Sequence, residues 1–172
     1  IGETLRREYP NTSFTYEPGR EQSNILLVSQ GRVQLGIAHA QLAGRALSGG
    51  EPFKQPVTNI RAIAVIDPLA AMQVFARQGS DFQSFEQVRR DKKPIRVALN
   101  QRGTMMALAG EELLAAKGIP AKDVEAWGGK VHYVAYNEGL EMMKNKQVDL
   151  IVNLLAFPSG QVASATREMP VQ

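Results

Sequence analysis

Apolar and polar positions along the chain follow two periods, one helical and one extended. Apolar side chains about three or four residues apart, bounded by Gly or Pro, predict helices, and short β-branched runs predict buried strands. The predicted helices cover residues 21–30, 39–47, 85–90, 104–117, 138–144 and 158–167. The predicted strands cover residues 13–17, 33–38, 60–66, 71–77, 95–99, 131–135 and 149–153. This alternation of helices and strands indicates an α/β fold.

The composition is typical of a globular protein, with 44% apolar and 22% charged residues. No apolar run approaches the roughly 18–20 residues that a membrane-spanning helix needs. The absence of cysteine excludes disulfides, thiolate zinc sites and cysteine nucleophiles. Residues 1–7 lack the apolar core of a signal peptide and continue a helical pattern. We therefore expect the natural N-terminus, with any export signal, to lie upstream.

The charge pattern gives no indication of a nucleic-acid partner. The chain carries a net charge of +3, and its dense basic run, residues 89–93, is interrupted by Asp91 and followed by Pro94. Such a run is typical of a solvated helix end. Proteins that bind nucleic acids usually carry a basic face with aromatic side chains or a groove-reading helix, and neither pattern is present.

The side chains that most enzymes need are also missing. The two histidines, His39 and His132, are far apart in sequence and show no metal-binding spacing. No nucleophile elbow, phosphate-binding loop or dinucleotide-binding glycine motif is present. Glu111 and Glu112 are adjacent in a predicted helix, so they face different directions and cannot act as a pair. The sequence therefore predicts a protein that is not an enzyme and has no cofactor and no metal.

Two loops at the carboxyl ends of predicted strands have chemistry suited to an anionic ligand. Residues 17–24 and residues 100–104 each place an arginine, Arg20 or Arg102, at or near a helix start. Helix N-termini attract anions, and arginine adds a charge-assisted contact to a carboxylate or phosphate. Gly103 permits close approach, and Thr104 can cap the helix or contact a ligand. Either arginine could instead be an exposed loop charge.

Further polar side chains follow other predicted strands. His39 and Gln41 come after the strand that ends near residue 38, and Asp67 follows the strand that ends at residue 66. Asn153 closes the last strand and is either a ligand contact or a core amide with satisfied hydrogen bonds. The candidate ligand-binding residues are Gly19, Arg20, Asn24, His39, Gln41, Asp67, Gln101, Arg102, Gly103, Thr104 and Asn153.

Several segments, in this order and spacing, resemble the TAXI-type solute receptors of TRAP transporters. They are residues 31–37, 50–53, 59–64, 84–88, 102–104, 113–119 and 148–150. The sequence departs from the family pattern at Arg20 and Glu21, where glycine and small polar residues are usual, and at residues 39–41 and 155–156. Gly19 and Asn24 match.

The resemblance implies a two-lobed type II periplasmic-binding-protein fold with mixed sheets flanked by helices. Lobe one would span residues 1–74 and lobe two residues 75–172. The resemblance also implies a further strand before residue 1 and a return segment after residue 172, so we expect lobe one to be incomplete here.

By the same resemblance, the chain is an extracytoplasmic, periplasmic receptor. It would capture a small anionic solute, an organic acid or an amino acid, and deliver it to the membrane permease subunits of a TRAP transporter. The alternative is a ligand-sensing domain of the same fold in a transcription regulator or a sensor kinase.

Overall fold

The computed structural model describes residues 2–168 and residue 171. The helices are α1 (Gly2–Glu8), α2 (Glu21–Ser29), α3 (Ala40–Ser48), α4 (Phe85–Asp91), α5 (Met105–Ala116), α6 (Ala121–Ala126), α7 (Tyr136–Lys144) and α8 (Gly160–Glu168). The strands are β1 (Ala70–Ala76), β2 (Arg96–Leu99), β3 (Lys130–Tyr133) and β4 (Leu150–Ala156). None of the described helices has the length and apolar character needed to cross a bilayer.

The four strands form one mixed sheet in the order β1-β4-β2-β3. β2 runs parallel to both β3 and β4, whereas β1 runs antiparallel to β4. Helices connect the parallel strands, as such crossovers require. The predicted α/β class, with a mixed sheet flanked by helices, is confirmed.

The sheet is buried on both faces because the middle of its central strands is a run of consecutive apolar residues. In β2, Val97 and Leu99 pack with α4, α5 and α6, while Ala98 between them packs against α7. Leu150 and Val152 of β4 join the first face and Ile151 the second. Successive strand residues point to opposite faces, so a continuous apolar run is what a strand covered on both sides needs.

The helices around the sheet begin and end at residues with known capping chemistry. The Ser84 hydroxyl accepts a hydrogen bond from the Gln87 N–H at 3.1 Å at the start of α4. The Thr104 hydroxyl accepts one from the Ala107 N–H, also at 3.1 Å, at the start of α5. Gly118, at φ +73°, ends the turn after α5 in the left-handed conformation that glycine adopts readily. These caps place the start of α5 directly after β2.

A second apolar cluster joins the first part of the chain, the residues before β1, to α5. Ile25 of α2, Leu42 and Ala46 of α3, and Phe53 of the following loop are buried together with Met105, the first residue of α5. An ion pair on the surface adds to this contact, because Arg45 Nη1 lies 2.7 Å from Glu112 Oε1. The first part of the chain is therefore packed against the N-terminal half of α5.

Three of the predicted strands are not strands in the structure. Residues 13–17, 33–38 and 60–66 have no regular secondary structure. Apolar side chains of the second and third segments are exposed, among them Ile37 at 61%, Ile63 at 79% and Val65 at 81%. A strand is stabilised by hydrogen bonds to a neighbouring strand, and within the described residues these segments have none beside them. Their β-branched composition alone was a misleading signal.

Candidate ligand-binding site

The two loops selected from the sequence lie against each other in the structure. The Gln22 N–H, in the first turn of α2, donates a hydrogen bond to the Gly103 carbonyl at 3.2 Å. In return, Glu21 Oε2 accepts a hydrogen bond from the Met105 N–H at 2.7 Å. The N-termini of α2 and α5 thus meet at one place and exchange hydrogen bonds. More than 80 residues separate Glu21 from Met105, so only the tertiary fold brings them together.

Local conformation explains how these loops approach so closely. Gly103 has φ +83°, and a Cβ atom there would lie 3.4 Å from Cδ of Arg20, so the Arg20 side chain passes directly over the glycine. Arg20 is the residue before α2, in extended conformation, and its side chain makes no capping hydrogen bond. A larger residue at position 103 would be strained by its φ and would crowd Arg20.

A pocket of about 110 Å³ lies beside this contact. Both parts of the chain line it, and its residues are Gln22, Leu42, Pro52, Arg102, Gly103, Thr104, Ala107, Leu108 and Glu111. The pocket is smaller than the roughly 300–1,000 Å³ of pockets for drug-sized molecules. Its size and its mixture of aliphatic and charged side chains suit a small polar organic molecule.

Arg102 presents a cation at the pocket, held by an aromatic ring and a carboxylate. Its guanidinium lies 3.5 Å from the centroid of the Tyr133 ring, and its Nη1 lies 3.5 Å from Glu111 Oε1. The Tyr133 hydroxyl donates a hydrogen bond to the same Glu111 oxygen, and burial together with this hydrogen bond raises the pKa of Tyr133 to about 12. The Arg102 side chain is 68% exposed, so most of its five N–H donors are accessible to a ligand.

Glu21 is a buried carboxylate held from two sides. Its Oε2 accepts the Met105 N–H, and its Oε1 lies 2.5 Å from His39 Nδ1. The hydrogen bond to Glu21 raises the pKa of His39, against the opposing effect of burial, and the charge of Asp67 adds to the increase. His39, predicted as a ligand contact, is therefore the partner of Glu21, and Asp67 is near enough to act on its charge.

Hydrogen bonds of Asn153 and Gln101 hold the loop of residues 100–104 in place. Asn153, 1% exposed in β4, accepts hydrogen bonds from Asn100 Nδ2 at 3.4 Å and from the Leu154 N–H at 3.0 Å. The Gln101 N–H donates to Asn100 Oδ1 at 2.7 Å, and the Gln101 carbonyl accepts from the Thr104 hydroxyl at 2.7 Å. Asn153 thus lies in the core beneath the loop, where its side-chain oxygen has protein partners.

The remaining predicted residues, Gly19, Asn24, Asp67 and Gln41, do not line the pocket. Gly19 packs on Asn24, and Asn24 Nδ2 donates to the Ile37 carbonyl at 2.9 Å, which ties α2 to the segment after it. Asp67 Oδ1 accepts the Leu69 N–H at 3.0 Å in an exposed turn. Gln41 is exposed on α3. The structure thus brings Arg20, Arg102, Gly103 and Thr104 together, with Gln101 and Asn153 behind them and His39 behind Glu21.

Sequence reasoning missed the acidic side chains of this region. Glu21 was recognised only as a departure from a family pattern, and Glu111 only as half of an unworkable pair. An acidic residue in the first turn of a helix, such as Glu21, often faces its own helix N-terminus, but here it faces the N-terminus of another helix. Glu111 and Glu112 do face different directions, since Glu111 contacts Arg102 and Glu112 contacts Arg45.

No group of three or more His, Asp or Glu side chains within residues 2–168 and 171 is arranged to hold a metal ion.

Two solved structures of binding proteins are similar to this chain. One is the alkanesulfonate-binding protein SsuA from Xanthomonas axonopodis pv. citri bound to MOPS, with a TM-score of 0.60 and 16% sequence identity. The other is the periplasmic aliphatic sulphonate binding protein SsuA from Escherichia coli, with a TM-score of 0.53 and 13% identity. Each comparison covers 99% of this chain but only 52% and 49% of the binding protein, so the chain spans about half of their length. At these identities the similarity shows the fold alone.

The comparison by sequence reaches the level of the family. No curated protein matches the chain significantly. The model of the NMT1-like family matches residues 16–172, which is nearly the whole chain and includes every residue of the pocket. The chain therefore belongs to the NMT1-like family and has the fold of periplasmic solute-binding proteins.

Proposed function

We propose that this chain is part of an extracytoplasmic receptor that captures a small anionic organic solute, an organic acid or an amino acid, and does not transform it. The observation that carries the proposal is the pocket between the two parts of the chain, with the Arg102 guanidinium at its wall. Binding between two parts of a protein is the arrangement that allows closure around a ligand.

Three features of the pocket support an anion in particular. Arg102 is exposed, and the Tyr133 ring and Glu111 fix its position, so little side-chain entropy remains to be lost on binding. Arg20 does not line the pocket, but its side chain lies over the lining residue Gly103 and adds a second cation nearby. The N-terminus of α5 adds the partial positive charge of a helix dipole. Together these groups favour a carboxylate or another oxyanion over a neutral or cationic solute.

The transport role and the location are part of the same proposal. The resemblance to TAXI-type receptors supports delivery of the solute to the membrane permease subunits of a TRAP transporter, in the periplasm or another extracytoplasmic space. The fold shared with a periplasmic sulphonate-binding protein supports the same kind of location. A pull-down of TRAP permease subunits with this protein as bait would test the partner, and failure of the two to co-purify would contradict it.

A thermal-shift screen tests the binding itself. The panel contains dicarboxylates, keto acids, acidic and polar amino acids, and short alkanesulfonates. A ligand at 100 times its Kd stabilises the folded state by about 2.7 kcal/mol, which is a rise in Tm of roughly 5–10 °C at this chain length. We expect at least one anion to give such a rise and to be recovered unchanged. No shift with any anion, or chemical turnover of one, would contradict the proposal.

Arg102→Ala identifies the anchor of the anion. We expect it to weaken binding at least about tenfold, because one charge-assisted contact is lost. Arg90→Ala is the matched control, since Arg90 is exposed on α4 and pairs with its neighbour Asp91, away from the pocket. Titration calorimetry with the strongest hit gives both affinities. Equal weakening by the two variants would mean that only net charge matters.

A further inference from the structure

The Glu21 carboxylate occupies a position suited to the acid group of a ligand. Only 10% of its side chain is exposed, and its Oε2 is 2.7 Å from the N–H of Met105, the first residue of α5. Backbone N–H groups at this end of a helix bind carboxylates and phosphates. The protein's own carboxylate therefore already satisfies the first amide of the helix that borders the pocket.

The chain neighbours of both partners line the pocket. Glu21 and Met105 are not themselves lining residues, but Gln22, which follows Glu21, lines the pocket, and so do Arg102, Gly103 and Thr104, which precede Met105. A small anion bound by Arg102 would thus lie close to the Glu21 carboxylate. Two anions near one helix end repel each other and compete for the same donors.

Glu21 has a second partner that can hold it when the contact to α5 breaks. His39 Nδ1 is 2.5 Å from its other carboxylate oxygen, and the charged group that also acts on His39 is Asp67. Both His39 and Glu21 belong to the first part of the chain, whereas Met105 belongs to the second. The contact between Glu21 and Met105 can therefore open while the contact between Glu21 and His39 stays closed.

We propose that Glu21 is a built-in competitor of the solute, holding the N-terminus of α5 until an anion displaces it. The inference rests on the proposed function and describes the regulation of the same site. Without ligand, Glu21 ties α2 to α5. With ligand, the acid group of the solute takes the Met105 N–H, and Glu21 remains paired with His39 alone. Because the contact between Glu21 and Met105 must be broken before the anion binds, the affinity for the anion is lower than it would be without Glu21.

Glu21→Gln tests the competition, because glutamine has the same shape but binds the amide without a charge. Glu112→Gln is the matched control: it also removes one carboxylate and one ion pair between the two parts of the chain, since Glu112 pairs with Arg45 at 2.7 Å, but it leaves the start of α5 unchanged. Titration calorimetry of both variants and of the wild type uses succinate, L-glutamate and ethanesulfonate as probes. Thermal melting checks that each variant is folded.

We expect Glu21→Gln to tighten binding of at least one probe about tenfold, since a charge-assisted contact no longer competes, and Glu112→Gln to change it less than about twofold. The Met105 amide resonance of the wild type should also shift when that probe is added. Equal tightening by both variants would overturn the inference, because net charge alone would then account for the effect. Unchanged or weaker binding by Glu21→Gln would overturn it as well.

The failure of the inference differs from the failure of the proposed function. If the wild type binds a probe and Glu21→Gln binds it no better, the receptor function stands and the competition is wrong. If no probe and no anion of the screen binds either protein, the receptor function itself is contradicted. Should Glu21→Gln not fold, Glu21→Ala replaces it: alanine removes the carboxylate that competes for the Met105 N–H, so it too should tighten binding, and no tightening would overturn the inference.

Discussion

His39 and Asp149 show how single buried contacts set the pH dependence of this protein. Each pairs with an opposite charge in a half-buried or buried setting, where screening by solvent is weak. The His39 pair joins a histidine to Glu21, whereas Asp149 accepts hydrogen bonds from Arg77 and Arg96. The two groups are expected to act at opposite ends of the pH range.

We expect His39→Asn to lower the free energy of unfolding by about 1 kcal/mol at acidic pH. The hydrogen bond to Glu21 raises the pKa of His39 above the ordinary value of 6.5. The stabilisation is therefore fully present below about pH 6.5 and is lost as the pH rises through the folded-state pKa. Urea unfolding of wild type and variant between about pH 5.5 and about pH 9 measures the difference, which should shrink as the pH rises.

His132→Asn is the control for that experiment. Burial lowers the pKa of His132, and the nearby charges of Lys130 and Arg96 lower it further. The contribution of His132 to the free energy of unfolding should therefore change with pH in the opposite direction, becoming more favourable as the pH rises. The same slope for both variants would show that general titration of the protein, and not the Glu21 pair, governs the effect.

Asp149→Asn should destabilise the protein by about 3 kcal/mol, because removal of the carboxylate leaves the largely buried Arg77 guanidinium without compensation. The Asp149 side chain is 12% exposed, and its carboxylate accepts hydrogen bonds from Arg77 Nη2 at 3.0 Å and from Arg96 Nη2 at 2.7 Å. Burial acts to raise the pKa of Asp149, but the hydrogen bonds from Arg96 and Arg77 outweigh it and lower the pKa below 3.8. This stabilisation is present above about pH 3.8 and is lost as the pH falls through the folded-state pKa.

Chemical denaturation at neutral pH measures the loss. Asp91→Asn provides the comparison, because Asp91 is an exposed carboxylate that pairs with its neighbour Arg90. Exposed pairs of this kind contribute little. A similar loss of stability in both variants would contradict the structural role assigned to Asp149.

At the scale of elements, the packing of α5 on β2 depends on one glycine. A Cβ atom at Gly110 would lie 2.8 Å from Cδ2 of Leu99, and Leu99 is only 2% exposed, so its side chain has little room to move. The absence of a side chain at position 110 thus allows the helix to approach the strand. This approach places the N-terminus of α5 at the pocket.

Gly110→Ala should therefore destabilise the fold by about 1–3 kcal/mol through overpacking, less whatever alanine gains in helix propensity. Gly44→Ala should do the opposite and stabilise by up to about 1 kcal/mol, since Gly44 lies in α3 with nothing within 4 Å of an added Cβ. Thermal and urea unfolding measure both. Stabilisation by both substitutions would show that the Leu99 side chain moves at little energetic cost and that the fold does not need the close approach of α5 to β2.

At the scale of the whole molecule, a sheet core and a separate apolar cluster hold the structure together. The sheet core consists of two clusters, one on each face of the sheet, whose buried residues lie between residues 76 and 152, whereas the separate cluster joins α2, α3 and Phe53 to Met105 of α5. The buried residues of the sheet core include none from the first part of the chain. We therefore expect the first part to loosen while the sheet stays folded, as opening of a ligand site between them requires.

Phe53→Ala tests this division. Loss of this buried ring should cost about 3–5 kcal/mol of packing between the parts. In hydrogen exchange, amides of α2 and α3 should lose protection, while those of β2 and β4 keep it. Val97→Ala, in the middle of the sheet core, should instead reduce protection throughout. If Phe53→Ala exposed the sheet amides equally, the two cores would form one cooperative unit and independent opening would be excluded.

The candidate site could be predicted in part because some of its chemistry is local. Arg102, Gly103 and Thr104 follow a strongly apolar strand and start a capped helix, so the rule that ligands bind at the carboxyl ends of strands selected them. Glu21 could not be selected in this way, because its partner Met105 is distant in sequence. The role of Glu111, in α5, depends on Tyr133, which belongs to β3.

The sequence by itself determined the elements from residue 85 to residue 156 except α6, which it did not predict, because their apolar periods, caps and glycine stops act within a few residues of each other. It also determined the absence of cysteine chemistry and the α/β class. Tertiary structure decided the rest. Residues 33–38 and 60–66 have the composition of strands but have no strand beside them in the part of the chain that the structure describes. The meeting of the N-termini of α2 and α5 arises from packing of Ile25, Leu42 and Phe53 on Met105. Such contacts depend on three-dimensional partners that no local pattern records.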